Sequence, residues 1–201
     1  MTENEYEYVD LGLPSGTMWA TCNVGADKPE DEGLLFQFGR VDGYTYGDTN
    51  HKFRINEQNK KDTGNEEIPV TSSSKTYDKN DILDLEDDAA YINMGGKWRM
   101  PIKDQIKELL DNTTREIKTI NGAQGMMFTS NINGHQLYMP FAGYWYSDFY
   151  CVGSGAYIWS SQVHGFGTFL AYALYCYSYG AAEVNFNTRA VALSVRGVFK
   201  K

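Results

Sequence analysis

The sequence predicts an α+β domain in which two helices are segregated from antiparallel strands. A helix-period pattern is confined to the middle of the chain, and hairpin turn signals with alternating apolar residues lie on both sides of it. The chain has 201 residues, of which 42% are hydrophobic, and this is enough for one substantial core. We therefore predict a single domain over residues 1–201.

The first predicted element is a hairpin between Tyr6 and Val24. Apolar alternation indicates one strand at Tyr8–Leu11 and a second at Thr17–Thr21. Leu13–Gly16 contains Pro, Ser and Gly in succession and is typical of the turn that joins such strands.

A polar insertion follows at about residues 42–81. Its composition shifts to Gly, Asp, Asn, Lys, Thr and Ser, with few apolar residues. The segment is longer than a normal loop, so we expect it to have its own structure or to contact a partner.

The first helix is predicted after this insertion. Asp84 is the predicted N-cap, Leu85, Ala89 and Ile92 fall on one helical face, and Gly95–Gly96 end the helix. We interpret the four acidic side chains at its start as solvated surface.

The second helix follows Pro101, a residue that suits a first helical turn. Four apolar residues repeat at positions i, i+4, i+7 and i+8 and predict one buried face: Ile102, Ile106, Leu109 and Leu110.

A β-meander is predicted beyond the second helix. Asn121–Gly122 and Asn133–Gly134 are type I′ hairpin signals. The strands that flank them are predicted at Ile117–Ile120, Met126–Thr129 and Gln136–Met139.

The rest of the chain carries no helix signal. Short strand-like runs at Tyr8–Leu11 and Ala192–Val198 can pair and would bring the termini together. The three cysteines are odd in number and show no CxxC spacing, so we expect free thiols, although Cys151 and Cys176 leave one pairing open.

Charge excludes one class of partner. The formal net charge is -8 and no stretch concentrates Lys and Arg, so we expect no nucleic-acid ligand. The sequence contains no run of about 18 apolar residues and no basic leader with an apolar segment. We expect neither direct membrane insertion nor a signal peptide in this chain.

Catalytic and metal-binding motifs are not found. His51, His135 and His164 are scattered, and no HExxH, CxxC or EF-hand pattern occurs. Ser160–Ser161 with His164 and Asp148 would supply the groups of a nucleophilic triad, but the GxSxG elbow is absent. We therefore expect no enzyme, no metal ion and no cofactor.

The last third of the chain is rich in aromatic residues set among Gly, Ser, Ala and Asp. A core this rich in Tyr would bury many hydroxyl groups, so some of the rings are expected to face outward, as in antibody-like paratopes. The predicted binding face comprises Tyr146, Asp148, Phe149, Tyr150, His164, Phe166, Phe169, Tyr177, Tyr179, Asn185, Asn187 and Ala190.

The same aromatic-rich segment is also compatible with ordinary half-buried strands, because Tyr and Trp are frequent in β-strands. Within it we expect a structural hydrogen-bonding role for Arg196. The residues expected in the core are Trp159, Leu170, Leu174, Leu193 and Val195.

Three blocks carry a family resemblance. The segment Tyr8–Ala26 closely resembles the opening of a family of Bacteroidetes and Fibrobacter paralogous proteins with a C-type-lectin-like fold. Gly96–Pro101 resembles that family's Trp-Arg-Met-Pro block, and Ile158–Ser161 followed by Ser194–Val198 resembles its closing block, which has two parts. The sequence departs from the pattern at Gly197, where the family has Pro. The resemblance implies a C-type-lectin-like fold with two helices, antiparallel sheets and paired termini.

The resemblance also implies a function. The fold group includes the variable proteins of diversity-generating retroelements, in which a C-terminal region is mutagenised at adenines. A variable binding region would then cover about residues 143–199. Calcium-dependent sugar binding is not implied, because Glu183–Asn185 and Trp159–Ser161 stand where sugar-binding lectins have their calcium motifs.

We therefore predict a non-enzymatic protein that binds a protein or glycan ligand on a cell surface. It would act on the surface or in a phage particle of a Bacteroides-type bacterium, and its oligomeric state is open. The alternative is a fixed structural or adhesive module of a surface fibre or pilus tip. A third class is the formylglycine-generating branch of the fold group, for which Cys151 and Cys176 are the candidate cysteines.

Overall fold

The computed structural model describes residues 2–45, 81–146, 148–165 and 170–201. It is a mixed α+β structure with mostly antiparallel sheets and, among the described residues, two α-helices, as predicted. Most of the predicted polar insertion, residues 46–80, lies outside the described residues. The strands are β1 (Thr2–Glu3), β2 (Tyr6–Asp10), β3 (Thr17–Ala20), β4 (Leu34–Gln37), β5 (Tyr44–Thr45), β6 (Thr113–Ile120), β7 (Ala123–Ser130), β8 (Gln136–Pro140), β9 (Tyr144–Tyr146), β10 (Asp148–Tyr150), β11 (Gly155–Val163), β12 (Leu170–Tyr177), β13 (Ala182–Thr188), β14 (Ala192–Ser194) and β15 (Val198–Lys200).

The two ends of the chain share one sheet of order β1-β2-β3-β15. The opening hairpin is confirmed, because β2 and β3 pair antiparallel and the Gly16 N–H donates to the Leu13 carbonyl at 2.8 Å. The predicted pairing of Tyr8–Leu11 with Ala192–Val198 is wrong. The last strand, β15, pairs with β3 instead, so the termini meet through the second strand of the hairpin.

The large sheet has the order β10-β9-β14-β11-β12-β13, and β4 and β5 attach through β14. The β11–β14 pair is parallel, at Ile158 and Ser194. Alternate residues of β11 enter two different hydrophobic clusters: Ala156 and Ile158 enter one, and Tyr157 and Trp159 the other. The sheet is therefore packed on both faces over part of its area.

Helix α1 spans Ala89–Met94 and begins later than predicted. Its N-cap is Asp88, whose side chain accepts the Tyr91 N–H, whereas Asp84 makes no side-chain cap and precedes a 3₁₀ turn. The predicted apolar face is also wrong at Leu85 and Ile92, which are exposed, since Ala89, Ala90 and Met94 are the buried residues.

The acidic residues before α1 are not all solvated. Asp87 and Asp88 are each 2% exposed. The Asp88 carboxylate accepts the Met100 N–H at 2.9 Å in addition to the Tyr91 N–H. It therefore ties the start of α1 to the segment that leads into the next helix.

Helix α2 spans Lys103–Asp111 and is amphipathic as predicted, with Ile106 and Leu109 fully buried. Pro101 lies just before the helix instead of in its first turn. The Gln105 side chain accepts the Ile102 N–H at 3.0 Å, which satisfies one of the free donors at the helix start.

The meander β6-β7-β8 forms a three-stranded sheet, as the two Asn-Gly pairs predict. Asn121 and Gly122 both have positive φ, 47° and 90°, which a type I′ turn requires. The second connection is longer than a two-residue turn, because five residues separate Ser130 from Gln136. There the Ser130 hydroxyl accepts the Asn133 N–H at 3.2 Å.

Arg196 has the structural role predicted for it. Its side chain is 0% exposed and donates to the Asn23 side-chain oxygen at 3.0 Å, the Ala20 carbonyl at 3.0 Å and the Tyr138 carbonyl at 3.2 Å. It thereby joins β3, β8 and the chain before β15. Of the predicted core residues, Trp159, Leu174, Leu193 and Val195 are buried and Leu170 is half-buried.

The cysteines are free thiols. Cys176 is buried, Cys22 is half-buried and Cys151 is exposed. The described residues include no helix with the length and apolar character that crossing a membrane requires.

Candidate functional site

Six tyrosines form a continuous row across one face of the large sheet. We call this set the tyrosine row: Tyr144, Tyr150, Tyr157, Tyr175, Tyr177 and Tyr179. Strand register explains its formation, because directly paired residues point to the same face. Tyr150 pairs with Tyr144 between β10 and β9, and Tyr157 pairs with Tyr175 between β11 and β12. Tyr177 follows Tyr175 at the strand period of two.

Ring contacts link every neighbour in the tyrosine row. Tyr150 stacks on Tyr144 with centroids 5.4 Å apart, and Tyr144 meets Tyr157 edge to face at 5.1 Å. Tyr157 and Tyr175 are edge to face at 4.8 Å, and Tyr175 and Tyr177 at 6.2 Å. At the far end Tyr177 and Tyr179 stack at 5.0 Å. These separations lie in the range of favourable aromatic pairs, so the rings support one another.

Exposure increases from the middle of the tyrosine row to its ends. Tyr157 is 6% exposed, whereas Tyr150 is 42% and Tyr179 76% exposed. The outermost ring at each end is thus half of a stacked pair and presents its other side to solvent. An inner buried anchor and two exposed ends make a preorganised aromatic surface.

Strand β13 provides a polar rim beside the tyrosine row. Glu183 pairs with Tyr175 across the strands, so it lies on the same face. The Tyr177 hydroxyl donates to the Glu183 carboxylate at 2.9 Å, and the Asn185 amide donates to the same oxygen at 2.9 Å. The Tyr175 hydroxyl donates to the Phe186 carbonyl at 3.2 Å.

The outer strands of the large sheet are protected by their own side chains. The Asp148 carboxylate accepts the Phe149 N–H in β10 at 2.7 Å. In β13 the side-chain oxygens of Asn185 and Asn187 accept the N–H of the next residue, each at 2.8 Å. Since β10 and β13 end the strand order, these bonds satisfy donors that an edge strand otherwise offers to another chain.

Burial makes the inner phenols reluctant to ionise. It raises the pKa of Tyr144, Tyr157 and Tyr175, and neighbouring phenol and thiol groups reinforce the shift. Burial and the hydrogen bond to Glu183 raise the pKa of Tyr177 to about 12. These phenols therefore stay neutral and act as hydrogen-bonding groups over the physiological range.

Several predicted site residues lie on the face of the tyrosine row. Tyr150, Tyr177 and Tyr179 belong to the row itself. Asn185 and Asn187 lie in its rim, and Tyr146 and Asp148 are a cross-strand pair at the β9–β10 turn, on the side of Tyr144 and Tyr150.

Three predicted site residues lie elsewhere. Phe149 alternates with Tyr150, so it points to the opposite face and packs in a cluster with Leu35 and Ala192. His164 contacts Phe186, with ring centroids 4.3 Å apart, on the face opposite the tyrosine row. Ala190 is in the turn before β14 and its carbonyl accepts a hydrogen bond from Gln37. Phe166 and Phe169 lie outside the described residues.

The sequence reasoning missed Tyr144, Tyr157, Tyr175 and Glu183. The signal for Tyr175 was available, because it precedes Tyr177 at the period of a strand. Tyr144 and Tyr157 join the row through contacts between strands, which depend on a register that the sequence does not specify.

A cavity of about 490 Å³ lies apart from the tyrosine row. Its walls include Asp88, Arg99, Met100 and Phe199, and it shares no lining residue with the row. The described residues contain no group of three or more His, Cys, Asp and Glu side chains that could hold a metal ion.

Comparison with family models, with curated proteins and with solved structures gives no match for this chain. The case for function therefore depends on the geometry and chemistry of the tyrosine row.

Proposed function

We propose that the tyrosine row is the binding face of a non-enzymatic recognition protein that displays it on a C-type-lectin-like scaffold. The observation that carries this proposal is the continuous row of six rings joined by five contacts, which is buried at Tyr157 and exposed at Tyr150 and Tyr179. Large aromatic side chains with few torsions give contact area at a low entropy cost, which is why Tyr dominates many paratopes.

The scaffold part of the proposal has separate support. The termini share one sheet, two helices pack beside the strands, and a large antiparallel sheet carries the aromatic face. These features agree with the fold that the three sequence blocks imply. A rigid sheet suits recognition, because a site on strands is held more precisely than one on loops.

Binding can be tested with defined arrays of bacterial cell-surface glycans and surface proteins. We expect the wild-type chain to bind at least one feature. Combined replacement Tyr150→Ser, Tyr177→Ser and Tyr179→Ser should weaken that binding about tenfold or more, since large aromatic side chains that become buried on binding supply much of the binding energy.

Phe186→Ser is the matched control. Phe186 is 44% exposed, close to the 42% of Tyr150, but it lies on the opposite face of β13. The control should bind as the wild type does. Binding that survives the triple replacement, or that Phe186→Ser alone removes, contradicts the proposed face.

Diversification of this face is tested at the gene. We propose that sibling isolates differ within the segment coding for residues 143–199, and only where a nearby near-copy of that segment has adenine. Changes concentrated at codons of the tyrosine row and its rim support a variable binding protein. An invariant segment without a near-copy contradicts diversification and favours a fixed adhesive module.

A further inference from the structure

The chain contains no Lys or Arg between residues 119 and 188, a stretch of 70 residues that supplies all of the tyrosine row. The same stretch has two acidic residues, Asp148 and Glu183, and both lie on the face of the row. The next cation, Arg189, is 4% exposed and lies over the Phe38 ring. The two charged side chains that this stretch contributes to the aromatic face are therefore both negative.

Internal hydrogen bonds occupy three donors of this face. The hydroxyl groups of Tyr175 and Tyr177 donate to the Phe186 carbonyl and to Glu183, and the Asn185 amide donates to Glu183. A carboxylate accepts hydrogen bonds and donates none when ionised. Around Glu183 the face thus presents acceptor oxygens and the electron-rich sides of aromatic rings.

We propose that the natural occupant of the tyrosine row is a partner protein that presents arginine or lysine side chains, with arginine preferred. A guanidinium has five donors, no acceptor and a flat surface that stacks on aromatic rings, so it complements each feature of this face. The proposal deepens the proposed function and depends on it, since it names the chemistry that the same face recognises.

Two exposed rings determine the geometry of recognition. Tyr179 stacks on Tyr177, whose hydroxyl donates to Glu183, and Tyr150 lies at the other end of the row, two residues from Asp148 on β10. Each end combines a ring with a carboxylate. Two cationic side chains held apart on one surface can engage both ends, and a folded partner supplies such a pair.

The charge pattern disfavours other ligands. Phosphate, sulfate and acidic sugars would meet two carboxylates, and the stretch that supplies the row contributes no cation to compensate them; like charges reduce association. A neutral sugar carries no net charge, so the charges of the carboxylates would not attract it. Its binding should therefore not depend on ionic strength, whereas binding of a cationic partner should.

The experiment is a titration of wild-type protein with tyrosine rings isotopically labelled for NMR. The first probe is a short acetylated and amidated peptide with two arginine residues, and the second has citrulline, its neutral isostere, at both positions. We expect the arginine peptide to shift the Tyr177 and Tyr179 resonances and to bind about fivefold more tightly than the citrulline peptide.

Charge removal on the protein gives the matching test. Glu183→Gln should weaken binding of the arginine peptide by about three- to fivefold and binding of the citrulline peptide by less, because a neutral ureido group forms a weaker hydrogen bond with the carboxylate. Glu116→Gln removes an exposed carboxylate from β6, in another sheet, and should change neither affinity. Added salt should weaken the binding of the arginine peptide and should not change the binding of the citrulline peptide.

Four outcomes overturn this inference. Equal affinity of the two peptides, or tighter binding of methyl glucoside than of either, excludes a cationic partner but leaves the tyrosine row as a binding face. Tighter binding of tetramethylammonium than of the arginine peptide assigns the site to a quaternary ammonium headgroup. Absence of shifts with every probe also excludes the inference, and the array experiment then decides independently whether the row binds at all.

Discussion

Tyr177 makes two different kinds of contact, one through its ring and one through its hydroxyl group. Its ring stacks on the exposed Tyr179, and its hydroxyl donates to Glu183. Burial is the main cause of its raised pKa, and the hydrogen bond to the carboxylate is the second. The phenol is protonated in that bond, so ionisation would break it and place two negative charges side by side.

We predict that Glu183→Gln lowers the pKa of Tyr177 from about 12 towards the ordinary value of 10.0 without reaching it, because burial persists. The measurement is an alkaline NMR titration of labelled tyrosine rings, with Tyr177→Phe to assign the resonance. An unchanged pKa would mean that the hydrogen bond to Glu183 does not form in solution.

The same shift has a consequence for stability. The folded pKa of Tyr177 lies above that of the unfolded chain, so the unfolded chain loses this proton first as pH rises. The stability that Tyr177 contributes is complete below pH 10 and is lost as pH rises through about 12. Alkaline conditions should therefore weaken the fold of the wild type more than that of Tyr177→Phe.

Arg196 is the buried polar centre of the fold. Burial lowers the pKa of its guanidinium to about 10, which still leaves it charged at neutral pH. We predict that Arg196→Met lowers the free energy of unfolding by about 3 kcal/mol or more, since it removes three hydrogen bonds and leaves buried acceptors on Asn23, Ala20 and Tyr138 without them.

Equilibrium denaturation measures this loss. Arg115→Met on the exposed side of β6 is the control and should change stability by less than about 0.5 kcal/mol. If both variants cost the same, the hydrogen bonds of Arg196 contribute little to stability.

Some roles of single residues could be predicted from the sequence, and others depend on how the strands pair. The core positions of β11, β12 and β14 and the structural arginine could be read from the sequence, because apolar blocks and a charge within them carry that information. The face of the large sheet on which Phe149 and His164 each lie could not be predicted from the sequence. Where several aromatic residues follow one another in a segment, only the strand register decides which of them share a face of the sheet.

The start of helix α1 shows how a buried acid decides a boundary. Asp84 and Asp88 both precede apolar residues, and the sequence favours Asp84 as the N-cap. Asp88 is the cap because its carboxylate can reach both Tyr91 and Met100, which links two elements at one point. That second link depends on tertiary structure and has no local signal.

We predict that Asp88→Ala lowers the free energy of unfolding by about 2–3 kcal/mol, the sum of a lost cap and a buried Met100 N–H without its acceptor. Asp88→Asn should cost about 1 kcal/mol or less, because its amide oxygen keeps the cap. Thermal unfolding of both variants distinguishes them, and equal losses would show that the carboxylate charge is required.

Burial also raises the pKa of the Asp88 carboxyl, and its amide hydrogen bonds offset part of that shift. The folded state therefore favours the protonated acid relative to the unfolded chain. The stabilisation that protonation gives is present at low pH and is lost as pH rises through the folded pKa. Asp88→Asn should remove this pH dependence, which wild-type and variant denaturation curves at several acidic pH values would reveal.

The edge strands give a prediction about association. Asn185 and Asn187 occupy the N–H groups of Phe186 and Thr188 in the outermost strand of the large sheet. Replacing both by Ala frees these donors for another chain, so we expect increased self-association at high protein concentration. Analytical ultracentrifugation measures this association, and Asn121→Gly, in the β6–β7 turn of the three-stranded sheet, is the control. A double variant that sediments as the wild type does contradicts this protective role.

At the scale of the whole molecule, the order of elements was predictable and their assembly was not. Turn signals and helix periodicity are local, so the hairpins and the amphipathic α2 follow from the sequence. Which sheet receives β14 and which receives β15 depends on contacts with β4 and β3, which lie more than 150 residues earlier. The tyrosine row is a product of that assembly, since it crosses strands from β10 to β12.

The closing strand β15 joins the two ends of the chain, and Phe199 is its anchor. The Phe199 ring is 5% exposed and meets Tyr8 of β2 edge to face at 5.0 Å and Trp98, before α2, at 4.8 Å. We predict that Phe199→Ala lowers the free energy of unfolding by about 3–5 kcal/mol, because a buried aromatic side chain leaves a cavity between three elements.

Such a loss is a large part of the 5–15 kcal/mol that stabilises a typical domain, so the variant should unfold at much lower denaturant concentration. Phe186→Ala removes an equal side chain from an exposed position and should cost far less. Fluorescence and far-ultraviolet circular dichroism should report one coincident transition for Phe199→Ala if the terminal sheet and the large sheet unfold together. Two separate transitions would show that the sheet of the tyrosine row is stable without the closing strand.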